Sequence, residues 1–394
     1  MFVDEKINQT KVSDSCDVFV AGGGFAGIAA ALSAAREGAK VILAEKCCML
    51  GGLATAGLVT IYLPICDGCG RQVSFGIAEE LLKASVKYGA EVNISENWLK
   101  DTPVEVRAEG PRYRCRFNAQ MFAIIAEQLL VENGVKIMYD TRFCNAVGDG
   151  KIDYVVVENK SGRSAIEVKS VVDASGDADI CEFSDADTAV YKDNLLAAWY
   201  YYYDGEKYDL QVIGAADDVG SGNRSQRIGN RDYNGVDADE VNDFMINGHA
   251  EILKKVLENR KENPAYMPVT IATVPQFRMT RRIAGEYTMT LDDEHKDFED
   301  SVGLFSNWRK AGPVYALPFS ALYSKKVKNL ITAGRCISCD DGMWEISRVI
   351  PVCAVTGEAA GLAAAMTDDF TAIDIKKLQE KLQKRGIVLS EKDL

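Results

Sequence analysis

Gly22, Gly24 and Gly27 follow the pattern G-x-G-x-x-G, after the apolar run Val18 to Val20 and before an Ala-rich stretch. This spacing can grip a diphosphate. The first glycine permits a tight turn, the second lets phosphate approach the backbone, and the third lets helix pack closely on strand. The anion then meets the free N–H groups and positive dipole end of that helix. Phe25 and Ala26, inside the motif, belong to the same expected contact surface. Glu45 lies 18 residues beyond Gly27, close to the roughly 20-residue offset of an acid that binds ribose hydroxyls. Its carboxylate would repel a 2′-phosphate, so the expected ligand is an adenine dinucleotide other than NADP. The plain alternative for Glu45 is a solvated strand end.

The motif needs a strand, a helix and a second strand to hold it. DVFVA, IAAALSAAREG and KVILAEK supply them in order, with Gly38 placed to stop the helix. Such a βαβ unit has parallel strands and a right-handed crossover. Further on, Gln72 to Tyr88 and Asn118 to Glu132 are expected as amphipathic helices, and Lys136 to Val172 as an antiparallel meander. Val171 to Asp177 and Asn329 to Arg335 are expected as buried strands running into Gly. Val352 to Met366 and Asp374 to Arg385 are expected as helices.

With 394 residues, 47% apolar and 26% charged, the chain excludes disordered and disulfide-stapled classes. Its net charge of −13, with no long basic run, argues against nucleic acid as partner. The N-terminal residues lack an export signature, and no apolar stretch reaches the ~20 residues of a membrane helix. Eleven cysteines, an odd number scattered through apolar segments, suit a reducing compartment. The expected address is cytoplasmic.

The βαβ unit alone does not decide between NAD and FAD. A second glycine pair follows in KCCMLGGLATAG, and then SVVDASGDADI, RMTRRIAGEYTM, NLITAGRCIS and RVIPVCAVTGEAAGLAAAM. With VFVAGGGFAG, these six ordered motifs resemble the FAD-dependent oxidoreductases of the flavoprotein superfamily that includes fumarate reductase flavoprotein subunits. The resemblance implies FAD as cofactor. It places Lys46, Gly51, Gly52, Leu53, Ala54 and Thr55 along the flavin and its ribityl chain. Ala174, Ser175 and Gly176 would lie toward the adenosine half, Gly334 and Arg335 beside the pyrophosphate and ribityl chain, and Phe143 would also contact the cofactor. A turn at Ala354, Val355, Thr356 and Gly357 would aim a helix N-terminus at the flavin, unless these small residues serve only helix–sheet packing. The implied fold is α/β: a Rossmann-type FAD domain with parallel sheet and β-meander over residues 14–186 and 319–394. An α+β cap or substrate domain would be inserted at 187–318.

The substrate side carries weaker signals. Arg278, Arg281 and Arg282 could clamp an anion or form a salt-bridged edge, and Met279 stands where the family usually has an acid. Arg348, Arg282 and Tyr315 are the catalytic candidates; His249 and His295 sit among polar residues and read as solvated. No metal is expected. Cys66, Cys69, Cys336 and Cys339 form two C-x-x-C pairs that could bind metal or act as a dithiol, but they lie 270 residues apart and read best as ordinary thiols. The expected function is hydride transfer between flavin N5 and a small polar substrate that could be anionic, by C–OH or C–N oxidation or activated C=C reduction. The alternative is an FAD-carrying relay that passes electrons to a partner or to a cysteine-bound cluster. The electron acceptor is unspecified, and a homo-oligomer stays open.

Overall fold

The computed structural model describes residues 9–69, 71–88, 115–215 and 227–394, so residues 1–8 of the stretch read for export lie outside it. β1 (Val12–Ala21), α1 (Phe25–Arg36) and β2 (Val41–Ala44) form the expected βαβ unit. β1 and β2 are parallel, with Val20 opposite Leu43. Two helices, α2 (Ile77–Val86) and α3 (Ala119–Glu132), precede β3 (Lys136–Met138). β3 pairs parallel to β2 and extends the parallel sheet, so the antiparallel part starts later than the sequence suggests. That part comprises β4 (Arg142–Gly148), β5 (Ile152–Asn159) and β6 (Gly162–Asp173). β6 is long enough to serve both regimes. Its first half pairs antiparallel with β5, while its second half lies parallel to β1 and to β7 (Leu330–Thr332). The strand order is β3-β2-β1-β6-β5-β4, with β7 also on β6.

The second predicted helix is shorter than the Gln72 to Tyr88 pattern. Gly76 adopts φ +62°, and Val73 N–H donates to the Ile65 carbonyl, so this stretch is tied into a turn. α4 (Ala238–Arg260) and several short strands make the segment over the sheet's ligand-facing end. Its middle strand, Tyr200–Tyr203, is flanked by Tyr208–Gln211 and Met267–Ile271. Buried hydrogen bonds fasten it below: Tyr201 to Thr60 at 2.6 Å, and Gln276 Nε2 to the Gly57 carbonyl at 2.6 Å. The hairpin Ser301–Ser306 with Val314–Pro318, from the stretch read as cap, shares the main core with the last long helix.

That helix, α5 (Ile350–Met366), starts two residues before the Val352 expected from sequence, with Pro351 in its first turn. Ala and Gly dominate it because it lies backbone to backbone against α1. A Cβ on Gly361 would stand 2.1 Å from the Ala30 carbonyl oxygen, and one on Gly357 2.2 Å from that of Ala26. No single described helix is long and apolar enough to cross a membrane.

Two predictions follow from α5. Gly361→Ala forces these helices apart and costs ~1–3 kcal/mol, read as a lower thermal midpoint. Glu358, 3% exposed, accepts a 2.7 Å hydrogen bond from Ile77 N–H, and burial pushes its carboxyl up to about 7. The folded chain then keeps a proton that the unfolded chain releases, so stability falls as pH rises from about 4.5 to about 7. Glu358→Gln removes that slope and raises stability at pH 8 by ~1–3 kcal/mol, measured by urea unfolding across this range.

Candidate active site

The carboxyl ends of the parallel strands converge on one cavity, as expected where an open α/β sheet binds a ligand. β1 runs into Gly22 and Gly24, β2 into Glu45 and Lys46, β6 into Ala174–Asp177, and β7 into Ala333–Arg335. The cavity holds about 2420 Å³ of empty space, its open mouth included.

At Gly22, φ is +98° and a Cβ would stand 2.6 Å from the Ala174 carbonyl oxygen. Gly27 is equally forced: its Cβ would meet the Gly22 carbonyl oxygen at 1.9 Å. Gly24 differs, because a Cβ there meets nothing within 4 Å and would project into open space. Gly24 is also the N-cap of α1 and offers no side-chain cap to the first-turn amides, beside which Phe25 and Ala26 line the cavity. The second glycine pair is laced to the first. Gly51 N–H donates to the Gly23 carbonyl at 2.8 Å, and Gly51 and Gly52 both take positive φ. Thr55 is buried beneath this turn, bonding the Leu50 carbonyl at 2.5 Å; Leu53 and Ala54 face the cavity.

Glu45, 6% exposed, is fixed rather than solvated. Oε2 accepts from Gly23 N–H at 2.7 Å, and Oε1 from Cys47 N–H at 2.8 Å. The Ser175 turn is held by Asp173, whose Oδ1 accepts from Ser175 Oγ at 2.6 Å. Burial raises the Asp173 carboxyl above its ordinary range. Arg335 Nη1 donates to the Phe277 carbonyl at 3.0 Å, and its Nη2 lies 3.5 Å from Asp177. This brings Arg335 against Gly176, where a Cβ would be 2.3 Å from Nη2.

Ala354, Val355, Thr356 and Gly357 form no turn: they lie inside α5, and Gly357 packs on α1. The helix end sits four residues earlier. Val349 is its N-cap with no side-chain cap, and Val349, Ile350 and Cys353 line the cavity. Burial pushes the Cys353 thiol up to about 12, which leaves it un-ionised at neutral pH.

The catalytic candidates separate. Arg348 lines the cavity. Arg282 does not; its guanidinium packs over Trp344 at 5.8 Å and donates to the Ile283 carbonyl. Tyr315 is 1% exposed, stacks on Phe305 in the core, and burial raises its hydroxyl pKa, so it cannot meet a substrate. Of the Arg-rich motif only Arg278 reaches the cavity, lying 4.9 Å over the Trp199 ring. Arg281 instead pairs with Asp179 at 2.9 Å. Phe143 packs in the lower core, and its neighbour Arg142 takes the place on the cavity wall. Cys66 and Cys69 sit by a turn at the Ser301–Ser306 hairpin, whereas Cys336 accepts from Ala178 N–H and Cys339 lies against Ser347. Among the described residues no group of three or more His, Cys, Asp or Glu could hold a metal ion. His249 and His295 are exposed and off the cavity wall.

Sequence reasoning missed Arg142, Trp308 and Arg309, all of which line the cavity. Among the described residues six cations line the wall, Lys46, Arg142, Arg278, Arg309, Arg335 and Arg348, against the acids Glu45 and Asp177. A chain of net charge −13 thus encloses a positive cleft, suited to a ligand with a diphosphate.

The glycine cradle permits a clean test. A Cβ at position 24 meets no protein atom within 4 Å, so Gly24→Val is expected to keep its fold by circular dichroism and its thermal midpoint within a few degrees. Its side chain fills the space beside the α1 amides, and the purified protein retains at least ~10-fold less flavin.

No curated protein matches the sequence. Solved structures match at low identity. One is a geranylgeranyl bacteriochlorophyll reductase-like protein from Thermoplasma acidophilum, with 15% identity over 94% of this chain and 83% of that one, TM-score 0.42. Another is a 3-ketosteroid-Δ4-(5α)-dehydrogenase from Rhodococcus jostii, with 16% identity over 91% and 98%, TM-score 0.41. A sequence profile described as "FAD dependent oxidoreductase" matches residues 17–197 and 192–382. The chain belongs to that FAD-dependent oxidoreductase family, and its cofactor is FAD.

Proposed function

We propose that this enzyme transfers a hydride between flavin N5 and a small polar organic molecule bound at the end of the cavity away from Glu45. The observation that carries this reading is the continuity of one cavity. It runs from the glycine cradle at Gly22 and Gly51 to a wall built by Trp199, Phe277, Trp308 and the start of α5. Bound there, FAD would supply two-electron chemistry at N5.

The chain's own groups have defined tasks. The first-turn amides of α1 and the Arg335 guanidinium hold the diphosphate, and Glu45 takes the ribose hydroxyls. The uncapped first turn of α5 places a positive dipole end on the wall, which favours negative charge accumulating beside it. Trp199 and Phe277, brought over from the cap segment, exclude water from the reacting atoms. Arg348 orients the substrate. Oxidation of a C–OH or C–N carbon and reduction of an activated C=C both fit this arrangement. Eleven cysteines, an odd number, suit work in the cytoplasm, on a diffusible substrate, without nucleic acid or membrane.

An anaerobic screen of the flavin-loaded protein tests the reading. Small alcohols and amines are added to the oxidised form, and activated alkenes to the dithionite-reduced form. At least one member is expected to bleach or restore the yellow absorbance at a saturable rate. A panel in which nothing exchanges electrons with the flavin overturns the proposal.

A further inference from the structure

The outer face of α4 takes no part in the flavin cavity and points to a partner instead. On its inner side the helix buries Phe244, Gly248, Ile252 and Val256, packed among Tyr200, Tyr266 and Phe277. On the side turned to solvent an amphipathic helix is ordinarily polar. Here Ile246, Leu253 and Leu257 are 67%, 58% and 54% exposed. At about 100° per residue these three and the exposed Ala250 fall within about 60° of one another, as one stripe. Single exposed aliphatics are ordinary, but three aligned along one helix mark a contact surface.

The charges at the ends of the stripe identify what it contacts. Asp239 lies at its N-terminal end and Lys261 at its C-terminal end, both exposed and each 11 residues from Ala250. A second copy laid antiparallel, with the two-fold axis at Ala250, sets Asp239 opposite the partner's Lys261 at both ends. Ile246 then enters the hole formed by the partner's Ala250, the partner's Leu253, the partner's Lys254 and the partner's Leu257, a knob into a four-residue hole. A parallel pairing would set acid on acid and base on base. Charge therefore selects the antiparallel arrangement, whose two-fold closes at a dimer. Glu240 and Arg260 also flank the stripe but hold Arg231 and the Tyr266 carbonyl, which leaves the selection to Asp239 and Lys261. From Asp239 to Lys261 the helix runs ~33 Å, and a strip ~10 Å wide along it covers less than the ~800 Å² per partner of a tight dimer. Such a pair is concentration-dependent.

We propose that α4 is a homodimerisation helix. A second copy of this chain docks antiparallel on the stripe of Ile246, Ala250, Leu253 and Leu257, with Asp239 of each copy against Lys261 of the other. The Phe244 ring on the inner side lies 4.2 Å, centroid to centroid, from Phe277 of the cavity wall, so the dimer braces the cap where it borders the cavity.

Sedimentation velocity of the flavin-loaded protein from ~1 to ~200 µM tests this. The native protein is expected to pass from one chain mass to two across that range. Ile246→Glu and Leu253→Glu each raise the dissociation constant at least ~10-fold, while Val131→Glu, at a similarly exposed apolar position on α3, leaves it unchanged. Lys261→Glu weakens the dimer about 5-fold by setting like charges together, and adding Asp239→Lys in the same chain restores it. All these positions are exposed, so each variant keeps the native circular dichroism spectrum. A monomer throughout the range, a dimer indifferent to Ile246→Glu and Leu253→Glu, or a charge swap that fails to restore association overturns the proposal. None of these outcomes bears on the flavin chemistry.

Discussion

The structure depends on one close approach: α1 and α5 touch through their backbones. Gly27 lies on the Gly22 carbonyl, while Gly357 and Gly361 lie on those of Ala26 and Ala30. Any side chain at these points would push the helices off the sheet and away from each other. Because they meet without side chains between them, two helix N-termini reach the same cavity, one at Gly24 and one at Val349. Neither has a side-chain cap. Their amides are left for a ligand, and an anionic cofactor is the natural partner of both.

The second constraint is charge. An acidic chain has to hold a ligand that is itself anionic, and it does so by collecting cations on the cavity wall. Four of these cations are steadied by a neighbour. Arg335 rests on backbone carbonyls and Asp177, and Arg278 on the Trp199 face. Arg309 and Arg348 share Glu345. Among the described wall residues the cations outnumber the acids. Low-dielectric walls concentrate their field at the mouth, whereas the surface charge is screened within about 10 Å by salt.

How legible all this is in the sequence follows from how local each interaction is. The dinucleotide grip could be read because Gly22, Gly24, Gly27 and Glu45 sit in one βαβ unit at fixed spacings. The start of α5 was misplaced by a few residues, since Ala354 to Gly357 have the small side chains of a close approach. The surface they approach is α1, not the cofactor. Arg281 and Arg282 looked like an anion clamp, but strand pairing with Thr188–Val190 turns them toward Asp179 and Trp344. Tyr315 sits in the apolar strand Val314–Pro318, and its neighbour across the strand pair is Phe305, which draws it into the core. Arg309 gave no signal because its partner Glu345 is 36 residues away on a separate helix.

The cap segment explains why the substrate end is hard to read at all. It is assembled from turns whose positions are set by buried hydrogen bonds to the flavin side: Gln276 to Gly57, Tyr201 to Thr60, Thr273 N–H to the Ala56 carbonyl. None of these bonds has a sequence pattern, because each donor or acceptor on the lower side is a backbone group or a single hydroxyl. Yet they fix the wall within a few residues of the Gly51 to Ala54 turn, so a change in the cap is felt at that turn. The cap and the glycine cradle are therefore coupled through the segment from Gly51 to Thr60, and the cap can vary its inner residues only while those anchors persist. The cofactor half is written in motifs and the substrate half in packing.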